Sequence, residues 1–202
     1  MIRSRIIGTG HFFFFFILTN KDLETLCDTT DEWIRQRTGI EQRHAARPGD
    51  GTSDLCTPAS RMAIESAGLT PADIDLLICC TTTPDYIFPA TACVIADNLG
   101  MGTKPAFDLN AACSGFIYGL ATADAFVRSG AYKTVLLTGG ELATNRVSYK
   151  KRDTAVLFGD GAGAVVLRGE VGGRGVLTTH LRWDGSGRAV LWLPAGGSGI
   201  PV

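Results

Sequence analysis

The amino-acid sequence predicts an α/β fold built on a mostly parallel five-stranded sheet that is covered by helices. Short runs in which every residue is apolar alternate along the chain with segments in which apolar residues recur every three or four positions. Continuous apolar runs are typical of strands buried on both faces, and the longer period is typical of amphipathic helices. Because the two patterns alternate, we expect parallel strands joined by helical connections.

The first half of the chain supplies the first strands of this sheet. We predict strands over residues 2–8, 76–81 and 105–109. A helix is expected after Thr52 and Ser53, whose side chains can cap it, and Gly68 would end it. A second helix would open at Pro89 and close at Gly100.

The second half continues this pattern and then changes it. A helix is expected to begin near Cys113 and to end at Gly130, and a buried strand follows over residues 134–138. Two more strands are predicted over residues 155–158 and 162–168, joined by a turn at residues 159–161, and another over residues 175–182. Because these last strands follow one another without a helix, we expect that edge of the sheet to be antiparallel.

Composition excludes several classes of protein. The 202 residues, 45% hydrophobic and 19% charged, can form one globular unit or half of a larger one, and they exclude disorder. The formal net charge of −1 leaves no basic excess for a nucleic acid. The six cysteines lack the paired spacing of a zinc site, so we expect no metal. Free cysteines in a chain with this much aliphatic core indicate a reducing cytoplasm.

Residues 12–16 are five consecutive phenylalanines, and they fit neither period. Arg3 and Arg5 precede this apolar stretch, as in a secretory signal, but glycines interrupt it and no small-residue cleavage site follows. It is also shorter than the ~20 residues that span a bilayer. We expect an exposed apolar connection between a strand and a helix, which indicates a membrane or partner contact, or an error in the gene sequence.

Cys113 is the main candidate for a chemically active residue. It stands where a predicted buried strand ends, small residues turn the chain and an amphipathic helix begins. The unpaired N–H groups and partial positive charge of a helix N-terminus favour the thiolate, which is the nucleophilic form of cysteine. The alternative is that Cys113 is one more buried small residue, as Cys79 and Cys80 are expected to be.

The residues around Cys113 carry a family resemblance. Residues 108–116 (DLNAACSGF) resemble the nucleophile motif of beta-ketoacyl-acyl-carrier-protein synthase III, the initiating condensing enzyme of type II fatty acid synthesis. Three further segments agree with that family in order and spacing: residues 28–40 (DTTDEWI and RTGI), 81–89 (TTTPD and FP) and 158–164 (FGDGAGA). Several motifs in register make the resemblance specific.

The resemblance implies a thiolase-like fold in which two similar halves are layered α-β-α-β-α, and it implies a homodimer. Residues 1–202 would form the N-terminal half, and the C-terminal half would be absent from the chain. The implied reaction begins when the cysteine takes an acyl group, usually acetyl, from acyl-coenzyme A. Malonyl-acyl-carrier protein then loses carbon dioxide, and the carbanion attacks the thioester to give a 3-ketoacyl product. No cofactor is implied, because the coenzyme A thioester is a substrate, and neither a membrane nor a nucleic acid is expected as a partner.

The resemblance also assigns two groups of binding residues. The first group lies at the mouth of the coenzyme A site: Thr29, Trp33, Arg37 and Arg152. The second group lines the acyl pocket: Phe88, Leu142 and Phe158. The family's tryptophan stacks on adenine, and its phenylalanine at the position of Phe88 reaches across the dimer. Without the resemblance these would be ordinary core residues and solvated arginines. The basic run at residues 150–152 could attract a phosphate or an acidic carrier protein, or it could be a solvated loop.

The family carries out decarboxylation with a histidine and an asparagine from its second half. No residue of this sequence can be assigned to either role, and His11, His44 and His180 show no metal spacing. Three interpretations follow. The chain is a condensing enzyme that loads an acyl group onto Cys113, a truncated non-catalytic remnant or interaction subunit that pairs with an intact homologue, or a priming ketosynthase of specialised metabolism.

Overall fold

A computed structural model describes residues 2–201, whose main element is a sheet of five strands. The elements follow in the order β1 Ile2–Phe12, β2 Ile17–Thr19, α1 Asn20–Glu24, α2 Asp31–Thr38, β3 Gln42–His44, α3 Thr52–Ser66, β4 Leu76–Cys80, α4 Thr91–Leu99, β5 Ala106–Leu109, α5 Gly115–Ser129, β6 Thr134–Leu142, α6 Arg152–Ala155 and β7 Asp160–Val171. Short 3-10 turns occupy Pro71–Asp73, Ala112–Ser114, Ala143–Asn145 and Gly185–Gly187.

The large sheet is mixed, with the strand order β1-β7-β6-β4-β5. β6, β4 and β5 pair in parallel, whereas β7 is antiparallel to both of its neighbours, β1 and β6. β7 therefore runs opposite to the other four strands. The expected α/β class with five strands is confirmed, and the antiparallel pairing lies at the expected edge.

Both faces of this sheet are buried, as its apolar strands predict. In β4, Leu77 and Cys79 belong to the core formed with α3 and α4, whereas Leu76, Ile78 and Cys80 belong to the core formed with α5. Alternate residues of a strand point to opposite faces, so a strand covered on both sides is apolar throughout.

The contact between α3 and β1 depends on two glycines. A side-chain carbon at Gly8 would fall 2.2 Å from the carbonyl oxygen of Ala63, and one at Gly10 would fall 2.2 Å from that of Ala59. No real side chain tolerates such a distance, so glycine is what lets the helix backbone lie directly on the strand.

A second, smaller unit packs beside the sheet. β2 and β3 pair in antiparallel fashion, and α1 and α2 lie next to them. Leu18, Leu23 and Ile34 form its core with Val156, which follows α6. Trp33 packs against this core while remaining half-buried.

Two predicted strands are wrong. Residues 155–158 form no strand, because α6 ends at Ala155 and β7 begins only at Asp160. Asp160 and Gly161 consequently lie in the strand and not in a turn. Residues 175–182 form no strand either, although the backbone N–H of Val176 donates to the carbonyl of Ser4 at 2.9 Å. A four-residue apolar run does not distinguish a strand from a buried helical turn.

The predicted cap of α3 is also displaced. Thr52 and Ser53 lie inside the helix, and Gly51 is the N-cap residue. The carboxylate of Asp54 accepts the N–H of Gly51 at 2.8 Å, and that of Asp85 accepts the N–H of Ser53 at 3.0 Å. These aspartates satisfy the helix N-terminus that the hydroxyls were expected to cap.

The phenylalanine run is only partly exposed. β1 extends to Phe12, and Phe12 and Phe14 pack against the main core. Phe13 stacks on His44 with ring centroids 5.1 Å apart, whereas Phe15 is 90% exposed. The run connects two strands, β1 and β2, and not a strand and a helix. Between residues 2 and 201, no helix has the length and apolarity to cross a membrane.

Candidate active site

Cys113 lies in the 3-10 turn that connects β5 to α5. The Oδ1 atom of Asn110 accepts the backbone N–H of Ala112 at 3.1 Å, and this bond holds the turn. Ala112 adopts a positive φ of 48°, a left-handed conformation that is uncommon for a residue with a Cβ atom. α5 begins at Gly115, two residues after Cys113, so the turn that carries this cysteine leads directly into the helix N-terminus and its unpaired N–H groups.

Cys113 is exposed, which excludes the alternative that it is a buried small residue. The predicted core cysteines behave differently, because Cys79 is fully buried and Cys80 is 5% exposed. Burial, the largest cause, raises the pKa of Cys80 to about 12, so this thiol stays protonated at neutral pH. Among these three cysteines, only Cys113 is accessible to a substrate.

An open cavity of about 600 Å³ surrounds Cys113. The rings of Phe13, Phe116 and Phe158 line it, and glycines of β6 and β7 form much of the remaining wall. Aromatic rings and bare backbone make a largely apolar surface, which suits an acyl chain attached to the sulfur.

Three of the four residues predicted at the coenzyme A site come together. The guanidinium carbon of Arg37 lies 4.4 Å from the ring centroid of Trp33, and that of Arg152 lies 4.7 Å from it. The Nη1 atom of Arg152 also donates to the carbonyl of Asp28 at 2.9 Å. A tryptophan contacted by two guanidinium groups can bind a planar aromatic group that carries negative charge.

Thr29, the fourth residue, lies just before α2 and is buried. Within the described residues its hydroxyl has no hydrogen-bond partner. Thr30, the next residue, caps α2 by accepting the N–H of Trp33 at 3.1 Å and so fixes the start of the helix that carries Trp33.

The residues predicted for the acyl pocket are not assembled into one cavity within the chain. Phe158 lines the cavity of Cys113, but Leu142 is 5% exposed and packs in the core with α3 and α4. Phe88 is 84% exposed and lies outside that cavity. Leu142 ends β6 with its side chain toward α3, which is why it does not line the cavity of Cys113.

The sequence did not predict every residue of this cavity, and Phe13 and Glu141 are among those that were missed. The carboxylate of Glu141 accepts the N–H and the hydroxyl of Thr82, each at 2.8 Å, and the hydroxyl of Thr83 at 3.0 Å. Glu141 lies in β6 one residue before its end, and Thr82 lies two residues after the end of the parallel neighbour β4, so both stand at the same edge of the sheet. That placement is a sequence signal that could have located them.

No group of three or more His, Cys, Asp or Glu side chains suited to a metal ion occurs among residues 2–201. The lining of the Cys113 cavity combines the thiol, an apolar wall and the Glu141 carboxylate.

Comparison with known proteins gives a consistent result. The sequence model of the family 3-oxoacyl-[acyl-carrier-protein (ACP)] synthase III matches residues 107–185. A curated protein of Caldanaerobacter subterraneus, named beta-ketoacyl-[acyl-carrier-protein] synthase III, is 50% identical over 201 residues, which are 100% of this chain and 61% of the relative. One of Xanthomonas campestris with the same name is 53% identical over 195 residues, 96% of this chain and 60% of the relative. The chain thus spans about 60% of the length of these relatives.

Solved structures agree with the sequence relatives. A 3-oxoacyl-[acyl-carrier-protein] synthase III from Aquifex aeolicus is 47% identical with a TM-score of 0.80, over 82% of this chain and 53% of that chain. Another 3-oxoacyl-(acyl-carrier-protein) synthase III is 32% identical with a TM-score of 0.93, over 99% of this chain and 60% of that chain. The priming beta-ketosynthase of the R1128 polyketide pathway is 39% identical with a TM-score of 0.80, over 83% and 50% of the two chains. These likenesses confirm the thiolase-like α/β fold expected from the sequence.

Proposed function

The chain belongs to the beta-ketoacyl-[acyl-carrier-protein] synthase III family, whose N-terminal portion it represents, and on that premise we propose that Cys113 accepts an acyl group from acyl-coenzyme A. One observation carries the proposal. In a chain 50% identical to a named synthase III, Cys113 is exposed in an apolar cavity at the turn that begins α5.

The proposed loading step is a thioester exchange. The thiolate of Cys113 attacks the carbonyl carbon of the acyl donor, and a new carbon–sulfur bond forms. The bond to the coenzyme A sulfur then breaks, and coenzyme A leaves as its thiolate and takes up a proton. A soft, ionised nucleophile that is also a good leaving group suits this exchange. N–H groups at the start of α5 can stabilise the oxyanion.

Substrate contacts follow from the two sites described above. Trp33 would stack on the adenine, with Arg37 and Arg152 at the nucleotide and Thr29 at the mouth. The acyl group, acetyl in the simplest case, would lie against Phe158, with Phe88 and Leu142 completing the pocket in the whole protein. The donor is a substrate, and no further cofactor is required.

The whole protein would go on to condense the loaded acyl group with malonyl-acyl-carrier protein. Loss of carbon dioxide supplies the carbanion, which attacks the thioester at Cys113 and gives a 3-ketoacyl-acyl-carrier protein. This reaction initiates fatty acid biosynthesis, a cytoplasmic process in the proposed setting. A homodimer is part of this proposal, and the exposure of Tyr86, Ile87 and Phe88, at 59%, 91% and 84%, supports a partner surface there.

Transfer of label from radioactive acetyl-coenzyme A to the protein tests the proposal. We expect the wild-type chain to become labelled and the Cys113→Ser variant to lose at least nine-tenths of the rate, since an alkoxide is not available near neutral pH (roughly a tenfold or greater loss). Cys93→Ser is the matched control, because Cys93 is also exposed. Equal labelling of Cys113→Ser and wild type would refute the proposal.

A second candidate function is priming of a specialised-metabolite pathway. The 39% identity to the R1128 priming ketosynthase supports this second candidate function. A panel of acyl-coenzyme A donors separates the two functions, because a fatty acid initiator would load acetyl preferentially and a specialised priming enzyme would favour another acyl group. The comparisons do not favour the interpretation as a non-catalytic remnant.

A further inference from the structure

Arg43, in β3, is a buried charge to which the proposed chemistry gives no role. Its side chain is 6% exposed, and among residues 2–201 no carboxylate lies within ion-pair distance of its guanidinium. Nη1 donates to the carbonyl of Leu18 at 3.2 Å and Nη2 to that of Val156 at 3.0 Å, while Nε has no partner within those residues. A buried cation costs free energy unless it is hydrogen-bonded, so these two carbonyls stabilise the guanidinium.

The two carbonyls belong to different parts of the molecule. Leu18 lies in β2 of the small unit, whereas Val156 opens the connection of residues 156–159 between α6 and β7. Because the planar guanidinium donates in two fixed directions at once, it holds this connection against the β2–β3 pair. The stem of Arg43 contacts the connection as well, since a side-chain carbon at Gly159 would fall 2.9 Å from the Cβ atom of Arg43.

Phe158 lies between these two points of contact, and its ring lines the cavity of Cys113. Among the described residues the ring packs into none of the hydrophobic cores. Its position therefore depends on its backbone, which Arg43 holds by the hydrogen bond at Val156 and contacts at Gly159.

We infer that Arg43 is a positioning residue that holds the Phe158 wall of the Cys113 cavity and thereby limits the size of the acyl group that the sulfur accepts. This inference rests on the proposed function, because it concerns the acyl group of the same loading step. It goes beyond the residues of the pocket, since Arg43 is not part of the cavity lining and acts through the backbone of Phe158.

Loading of Cys113 from acetyl-coenzyme A and from hexanoyl-coenzyme A tests the inference. Arg43→Met keeps a long apolar side chain without the guanidinium. In this variant we expect the ratio of kcat/KM for the acetyl donor over the hexanoyl donor to fall about fivefold, because the released ring yields to the longer chain. A residue needed only for folding would lower both rates alike and leave the ratio unchanged. If the methionine variant does not fold, Arg43→Lys replaces it, and the ratio should fall there too, since one ammonium group does not reproduce the two-armed geometry.

Removal of the Phe158 ring shows whether Arg43 acts through that ring. In the Phe158→Ala background, Arg43→Met should leave the acetyl-to-hexanoyl ratio unchanged, since the ring that it positions is gone. Phe116→Ala is the matched control background, because the Phe116 ring lines the same cavity from α5, and there the fivefold effect of Arg43→Met should persist. A wild-type ratio in the folded Arg43 variant, or an equal effect in both backgrounds, would overturn the inference.

Alkylation of Cys113 separates this inference from the proposed function, because haloacetamides react with the thiolate without acyl transfer. The ratio of the rates for iodoacetamide and the bulkier N-phenyl iodoacetamide, read by mass spectrometry on the Cys113 peptide, should also fall in Arg43→Met. If this ratio falls but Cys113 accepts no acyl group from coenzyme A, the proposed function fails and the positioning role stands. If Cys113 is acylated and the alkylation ratio equals that of the wild type, only the positioning role fails.

Discussion

At position 112 a residue with a Cβ atom occupies a backbone conformation that favours glycine. Ala112 has φ of 48°, and its N–H is held by the side chain of Asn110. Such a conformation costs ~1–2 kcal/mol for a non-glycine residue. The surrounding turn maintains this conformation at the residue directly before Cys113.

Substitutions at this position separate strain from packing. Ala112→Gly should change the free energy of unfolding by less than ~1 kcal/mol, because relief of strain offsets the added freedom of the unfolded chain. Ala112→Val should lower it by about 2 kcal/mol, because a β-branched residue fits this conformation poorly. Urea unfolding followed by circular dichroism measures both. Equal stability of the valine and glycine variants would show that the turn is not strained.

Single residues of the site differed in how far the sequence could predict them. Cys113 was identifiable because its strand, turn and helix are consecutive in the chain. Phe13 and Glu141 share its cavity but are distant in sequence, and only the packing of β1, β4 and β6 brings them there. Leu142 and Phe88 were predicted to line the acyl pocket, but neither lines the cavity of Cys113. Leu142 is buried and Phe88 is exposed, and their roles in the pocket remain predictions.

At the scale of elements, α5 lies directly on the sheet at Gly119. A side-chain carbon there would fall 2.4 Å from the Sγ atom of Cys80 and 2.6 Å from a methyl carbon of Leu137. The close approach places the N-terminus of α5, and therefore the turn of Cys113, at a fixed height above the carboxyl ends of β4 and β6.

Gly119→Ala should consequently push α5 away from the sheet. We expect a loss of about 1–2 kcal/mol in the free energy of unfolding, since overpacking outweighs the better helix propensity of alanine. The rate of Cys113 acylation should fall as well. The double variant Gly119→Ala/Cys80→Ala should regain part of the stability, because the smaller side chain at position 80 makes room. A double variant no more stable than Gly119→Ala would contradict this account.

Strands were predictable from the sequence where burial on both faces makes every residue apolar. β4 is apolar at every position because α3 and α4 cover one face and α5 the other. Residues 155–158 form a similar apolar run. However, Ala155 is the last residue of the short helix α6 and Val156 lies in the turn after it, and both are buried there. A short apolar run can be either a buried strand or a buried helical turn. The strand prediction was therefore wrong at residues 155–158 and correct at β4.

On the scale of the whole molecule, one exposed apolar segment supports association of two chains. Tyr86, Ile87 and Phe88 precede α4 and expose most of their side chains, although the strand before them is fully buried. Exposed apolar clusters of this kind are typical of interaction surfaces. The homodimer proposed above would bury them and would bring Phe88 to the partner.

Ile87→Asp should therefore shift the protein from dimer to monomer, since a carboxylate in an apolar interface loses its hydration without a partner. Sedimentation-velocity centrifugation measures the shift, and an increase of about tenfold or more in the dimer dissociation constant is expected. Val171→Asp is the control, because Val171 is 85% exposed at the end of β7. Dimerisation that is equally weak in both variants would count against an interface at this segment.

The proposed chemistry depends on Cys113 being the acyl acceptor, and peptide mapping tests this most directly. The wild-type chain, with all six cysteines present, is incubated with acetyl-coenzyme A, digested at low pH and analysed by mass spectrometry. We predict a single added acetyl group on the peptide that contains Cys113. Acetylation at Cys93 or Cys27, or no stable thioester on a chain that binds coenzyme A, would contradict the account.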